Sequence, residues 1–355
     1  MKHIVIIVGA RPNFMKVAPL LRLLKKHKSY KVTLIHTGQH YDKKMSDVFF
    51  DDLDISKPDY NLNVRSGSHA NQTAKIMVSF EKICLDINPD LLIVVGDVNS
   101  TMACSIVAKK LHIDVAHVEA GLRSNDRKMP EEINRLITDS ITDYFFVTED
   151  SGKSNLLNEG QNESSIFFVG NLMIDSLHYG LEKVKNRLRF KKEEYGLVTL
   201  HRPSNVDNID KLKEIIETLS QISNDIPLLF SIHPRTKSII DKNNIKFNKN
   251  ISILDALPYL DFLCLMRDSK VIFTDSGGIQ EESTILKVPC YTLRNNTERP
   301  ITIKQGTNYL VGNKKVDILK SFKENQFNIN INYKTPYGWD GKASKRIIDI
   351  LDKII

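Results

Sequence analysis

The sequence predicts an α/β protein made of two doubly wound, parallel-sheet domains. Three observations carry that expectation. Short β-branched apolar runs alternate with longer helical patterns from start to finish, the series restarts near its middle, and the runs end in polar and glycine residues. With 355 residues the chain exceeds one ordinary core and suits two domains.

The first half offers HIVIIV, KVTLIH, LLIVVG, VAHVE, YFFVT and SIFFVG as strands; the second offers LVTLH, LLFSIH, ISIL, VIFTD, CYTL and NYLVG. Runs this continuous suit strands covered by helices on both faces. The series restarts after Gly170, where a charged helical stretch from Met173 to Lys192 bridges the halves. We therefore expect one Rossmann-like domain at 1–170 and a second at 171–335. Residues 336–355 are expected to pack an amphipathic helix back across the junction.

Hydrophobic content of 41% and charged content of 26% are those of a globular protein. HIVIIV is far too short to span a bilayer and runs into Gly9 and Arg11 without a cleavage site, so no signal peptide or membrane span is expected. Cys84, Cys104, Cys264 and Cys290 are scattered without a CxxC pair, which suits reduced, buried thiols in the cytoplasm. The histidines show no metal-ligand spacing, and no structural metal is expected. A net charge of +7 favours anionic ligands in general, yet no basic tract or aromatic–basic alternation points to nucleic acid.

Ligands of open parallel sheets bind beyond the carboxyl ends of the strands. Here those ends read Gly9-Ala-Arg-Pro, Gly96-Asp97, Glu119-Ala-Gly, Gly170-Asn171, His201-Arg202, His233-Pro-Arg and Thr274-Asp-Ser-Gly-Gly. Spread over both halves, they predict a site facing an interdomain cleft.

The first turn, GARPNFMKVAPL, lacks GxGxxG, which disfavours a nicotinamide dinucleotide. Arg11 and Lys16 flank the start of a helix, where N–H groups favour anions; they suit either a phosphate clamp or an ordinary carboxylate pairing and a solvated lysine. TDSGGIQEEST is the sharpest local signal. Its strand ends in Asp-Ser, a helix is expected from near Ile279, and Ser276, Gly277 and Gly278 are placed to offer N–H groups to a diphosphate. Of Glu281 and Glu282 in the first turn, one reads as a solvated, dipole-complementing acid. The other, taken as Glu282, reads as an acceptor for ribose hydroxyls.

TDSGGIQEES, LRNNTERP and GTNYLVG, with GARPNFMKVAPLL, HTGQHYD, GDVNSTMA, HVEAGLRS and MPEEINR, closely resemble the UDP-N-acetylglucosamine (UDP-GlcNAc) 2-epimerase family in its non-hydrolysing branch. The matches run in order from Gly9 to PYGWDGKASKRI, over nearly the whole chain. The resemblance implies a GT-B-like fold and interconversion of UDP-GlcNAc with UDP-ManNAc without metal or cofactor. It further implies elimination of UDP to 2-acetamidoglucal, re-addition after reprotonation, a homodimer, and a cytoplasmic role in cell-surface polysaccharide biosynthesis.

Residue by residue, the resemblance makes Asp97, Glu119 and Glu131 the acid/base candidates. A buried cluster of these acids is expected to raise at least one pKa. The bland alternative has Asp97 capping the next helix and Glu131 pairing with Arg135. His201 corresponds to the family's essential histidine, with Arg202 beside it; His233 and Arg299 join the UDP-binding set. A surface pair with Glu298 is the plain alternative for Arg299. Gln39, His40 and Arg65 resemble the region where some members bind a second UDP-GlcNAc as activator, although a turn held by local hydrogen bonds would look the same. Two departures touch the ligand region: LHRPSN lacks the acid or arginine of many members, and Ala10 replaces a commoner threonine.

Rival readings are a GT-B glycosyltransferase, a hydrolysing epimerase releasing ManNAc, an epimerase of a modified UDP-2-acetamido sugar, and a non-catalytic nucleotide-sugar sensor.

Overall fold

The computed structural model describes residues 1–38, 52–187, 193–330 and 332–355, except the side chain of Arg11. It divides into two compact units, Met1–Tyr179 with Tyr337–Ile355, and Gly180–Pro336. Both are parallel-sheet α/β layers, as the alternating runs require.

In the first unit β1 (Lys2–Val8), β2 (Tyr30–His36), β3 (Tyr60–Asn61), β4 (Leu91–Val95), β5 (Asp114–Val118), β6 (Tyr144–Val147) and β7 (Ile166–Phe168) pair in the order β3-β2-β1-β4-β5-β6-β7. All are parallel, with Ile4 opposite Val32 on one side and Leu91 on the other. β1 from Ile4 to Val8 and the whole of β4 are essentially without exposure. Truncating one such side chain, as in Leu92→Ala, costs about 2–5 kcal/mol. The two-residue edge strand β3 escaped sequence analysis because Tyr60-Asn61 carries no apolar run.

In the second unit β8 (Gly196–Thr199), β9 (Leu228–Ser231), β10 (Ile251–Leu254), β11 (Val271–Thr274), β12 (Cys290–Thr292) and β13 (Asn308–Leu310) pair in the order β10-β9-β8-β11-β12-β13. Each sheet therefore reverses its strand order once, between β1 and β4 and between β8 and β11. Such switch points open a crevice at the carboxyl ends of the two flanking strands.

The helix expected from Met173 to Lys192 runs from Leu172 to Val184 and belongs to both units, which divide after Tyr179. Residues 337–355 lie in the first unit, where the helix Ala343–Ile354 packs along the helix Arg11–Leu24. Asp175 caps it, accepting from the Ala343 and Ser344 N–H groups at 3.0 and 2.8 Å. Ahead of it, Gly170 and Gly338 meet backbone to backbone, both in the left-handed region; a Cβ on Gly170 would lie 2.0 Å from the Gly338 oxygen. The neighbouring Trp339 is buried, its Nε1–H donating to the Thr148 carbonyl at 3.2 Å. No helix among the described residues is long and apolar enough to cross a membrane.

Candidate functional site

Each switch point carries a cluster of charged side chains. At β1/β4, Asn13 on the helix Arg11–Leu24 ties the two strand ends together. Its Oδ1 accepts from the Gly9 and Ala10 N–H groups, and its Nδ2 donates to the Val95 carbonyl at 3.0 Å. One turn further, buried Lys16 donates to Glu119 Oε2 at 2.5 Å. Glu119 follows β5 with φ of 70°, a left-handed conformation unusual for a residue with a Cβ.

Asp97 follows β4 and is partly exposed, its Oδ2 accepting from Arg135 at 2.5 Å. Arg135 itself is buried and also binds Glu132, which accepts from the Ser124 and Asn125 N–H groups as well. Burial alone would raise the Glu132 carboxyl, but these N–H groups and the arginine hold it below its ordinary value. Asn134 donates to the Asp97 carbonyl at 2.9 Å and to Asn99, and Asn99 donates to Gln72 at 2.8 Å. Gln72 in turn donates to the carbonyl of Arg65.

At β8/β11 the centre is an acid, Asp275, with no exposure. It accepts from the His201 and Arg202 N–H groups and from Asn205 Nδ2 at 3.0–3.2 Å, and stands 3.1 Å from His201 Nδ1. The loss of water around His201, reinforced by Arg202 and Arg294 and opposed by Asp275, lowers its pKa. His233 caps the helix Pro234–Lys242 at Arg235 N, its ring 6.0 Å from that of His201.

Helix Gly277–Leu286 starts directly after this acid, with Ser276 at its cap. It begins two residues before Ile279, which puts Glu281 and Glu282 in the second turn and turns both inward. Neither is the solvated acid expected of one of them. Glu281 accepts from Arg299 Nε at 2.6 Å, and Glu282 from the Tyr259 hydroxyl at 2.9 Å. Arg299 is buried, with Nε on Glu281, so the surface setting expected for it does not hold. Glu298 is buried too and pairs with Arg294 at 2.7 Å and Arg202 at 3.6 Å, with the Arg299 charge adding to theirs. Burial would raise its carboxyl; the surrounding arginines reverse that and hold it far below the usual range. The Ser276 N–H is taken by Thr274 Oγ1 at 3.0 Å, so of the three expected donors Gly277 and Gly278 head the helix. A Cβ on Gly277 would sit 3.0 Å from Glu298 Oε1.

The structure thus gathers Lys16, Asp97 and Glu119 at one switch point and His201, Arg202, Ser276, Gly277, Gly278 and Arg299 at the other. Glu131 heads the helix Pro130–Ser140 and is exposed; Arg135 pairs with Glu132 and Asp97. Asp97 does not cap the helix Asn99–Lys110, whose cap position is Val98. Gln39, His40 and the side chain of Arg11 lie outside the described residues, and Arg65 is exposed with φ of 60°. Among the described residues no group of His, Cys, Asp and Glu is arranged to hold a metal ion.

Two Rossmann-like sheets, each with a charged cluster at its switch point, define the GT-B-like class of two-domain α/β proteins. A family model described as UDP-N-acetylglucosamine 2-epimerase matches residues 22–352. The UDP-N-acetylglucosamine 2-epimerase of Methanocaldococcus jannaschii is 46% identical over 98% of both chains. Its crystal structure in complex with UDP-GlcNAc and UDP superposes with a TM-score of 0.92, covering 99% of this chain and 100% of that one at 45% identity. A Pseudomonas aeruginosa UDP-2,3-diacetamido-2,3-dideoxy-D-glucuronate 2-epimerase is 36% identical over 99% of both chains. The chain belongs to the UDP-N-acetylglucosamine 2-epimerase family, whose members are isomerases.

Proposed function

We propose that the protein is a non-hydrolysing epimerase that interconverts UDP-GlcNAc and UDP-ManNAc. One observation carries this reading: two carboxylates at adjacent strand ends, Asp97 and Glu119, each held by its own buried cation, Arg135 and Lys16. A transferase moving a sugar to an acceptor has no need of proton chemistry at C2, whereas inversion there needs groups that take a proton and return one.

In the forward direction a carboxylate removes the C2 proton while the C1–O bond to UDP breaks, leaving a C1–C2 double bond. UDP departs with the bond's electron pair. A second acid then protonates C2 from the other face as UDP adds back to C1. Asp97, Glu119 and Glu131 are the residues assigned to the proton transfers. His201, Arg202, Arg299 and the N–H groups of Gly277 and Gly278 are assigned to the diphosphate, with Arg11 and His233 alongside and Glu282 on the ribose. Buried Lys16 touches Glu119, so it is a cationic support for that acid as well as a phosphate candidate.

A cytoplasmic setting is supported by four free, buried cysteines. A homodimer and an activator site at Gln39, His40 and Arg65 rest on the family resemblance. The Pseudomonas relative supports a second reading, a substrate with further modification at C3 and C6 of the sugar.

Incubation with UDP-GlcNAc in heavy water, followed by NMR, tests the proposal. Deuterium at C2 with UDP-ManNAc appearing is expected. Free ManNAc would move the enzyme to the hydrolysing branch, and unchanged UDP-GlcNAc would sink the assignment.

A further inference from the structure

Behind the first switch point lies a buried pair that the proton chemistry above does not use. His117 on β5 and Asp139 on the helix Pro130–Ser140 have no exposure. His117 Nδ1 lies 2.6 Å from Asp139 Oδ1, and Nε2 lies 2.9 Å from the Gly96 carbonyl. Both ring nitrogens thus meet oxygen atoms, one from the helix and one from the turn after β4. The other carboxylate oxygen of Asp139 accepts from the Gly121 N–H at 3.0 Å and from Arg123 at 2.7 Å.

These bonds reach both strand ends that carry the acids. Gly96 immediately precedes Asp97, and Gly121 stands two residues after Glu119. Gly96, Glu119 and Gly121 are all left-handed, with φ of 70°, 70° and 77°. At Glu119 such a conformation is strained for a residue with a Cβ and persists only where its surroundings over-determine it. Gly121 is sterically required as well, since a Cβ there would lie 2.2 Å from the Gly152 oxygen. Stability is a poor explanation for the pair: taking such polar groups out of water is costly, and apolar residues often serve a core as well. What apolar residues cannot do is grip the Gly96 carbonyl and the Gly121 N–H at the same time.

We propose that His117 and Asp139 are a positioning pair for epimerisation, fixing the spacing between the Asp97 and Glu119 carboxylates. The proposal rests on the epimerase reading. Arg123 completes the grip from the far side, bridging Asp139 to Glu159.

The test uses the full chain with Asp139→Asn and, separately, His117→Gln, which keeps a donor for Gly96 but breaks the link to Asp139. Turnover, KM, UDP affinity, melting temperature and the ratio of C2 deuterium wash-in to UDP-ManNAc formed are measured. We expect kcat to fall on the order of 10²-fold, the penalty of misplacement by about an ångström, with UDP affinity kept and the wash-in ratio altered. A purely structural role would lower the folded fraction and all rates together and leave that ratio unchanged; this outcome overturns the proposal. So does near-normal kcat in both variants. Should Asp139→Asn fail to fold, His117→Gln decides. An inactive unmodified protein would sink the epimerase reading and the proposal with it, whereas an active one with indifferent variants sinks the proposal alone.

Discussion

At the β1/β4 switch point cations hold carboxylates in place: Lys16 on Glu119, and Arg135 between Asp97 and Glu132. At β8/β11 the relation is inverted, and buried carboxylates hold the donors. Asp275 orders the His201–Arg202 backbone, Glu281 orients Arg299, and Glu298 gathers Arg294 and Arg202. The difference fits a division of labour in the proposed reaction. Proton transfer needs carboxylates whose ionisation is tuned by fixed charge. Binding a diphosphate needs cations and N–H groups whose geometry is fixed beforehand, so that little ordering remains when the anion arrives.

That contrast can be broken at either end. The largest effect is expected in the first unit, where Asp97→Asn or Glu119→Gln should cut kcat on the order of 10³-fold while UDP affinity measured by calorimetry stays near normal. If either variant keeps its turnover, that acid is not a proton-transfer group. In the second unit Arg299→Lys keeps the charge and loses the planar fork on Glu281. It should weaken UDP binding about tenfold with a smaller change in kcat at saturation. Equal losses in kcat and affinity for both variants would erase the division.

The smallest expected effect is in acid stability. Because the folded-state pKa of Glu298 lies far below its ordinary 4.5, its stabilisation is fully present above that value and is lost as pH falls through the folded pKa. The melting temperature of Glu298→Gln should therefore trail the unmodified protein by a few degrees at neutral pH, with the gap closing in acid. Asp139 follows the same sign in the first unit: burial pushes its carboxyl up, but His117 and Arg123 pull it below its ordinary value. A gap that widens in acid would show that the arginines do not hold Glu298 ionised.

Strand positions were legible in the sequence because parallel strands covered on both faces carry continuous apolar runs, as β4 does throughout, β1 from Ile4 and β11 up to Phe273. The strand-end residues were legible as positions for the same reason. Their partners were not. Arg135 reaches Asp97 across 38 positions and Asp275 reaches His201 across 74, separations that no local spacing rule reports. Local rules misled where they were applied: an acid four residues before Arg135 looked like its partner, yet helix rotation brings Glu132, three before, to the arginine. The expectation that one of Glu281 and Glu282 is solvated failed similarly, since a helix starting two residues earlier turns both acids inward. His117 was visible only as part of HVEAGLRS; its place on a fully covered strand was the signal that an imidazole there must find buried partners.

The seam between Gly170 and Gly338 has a consequence for how the protein is made. The first unit holds Trp339, Ile347 and Leu351 in its interior, yet these residues follow the whole of the second unit in the chain. Synthesis at about 5–20 residues per second leaves the earlier strands on the ribosome surface for many seconds with that part of their core unfilled. The second unit is contiguous and is free to fold first. The first must then receive its last segment as a returning stitch, and Trp339 fluorescence would report the moment at which it is sewn shut.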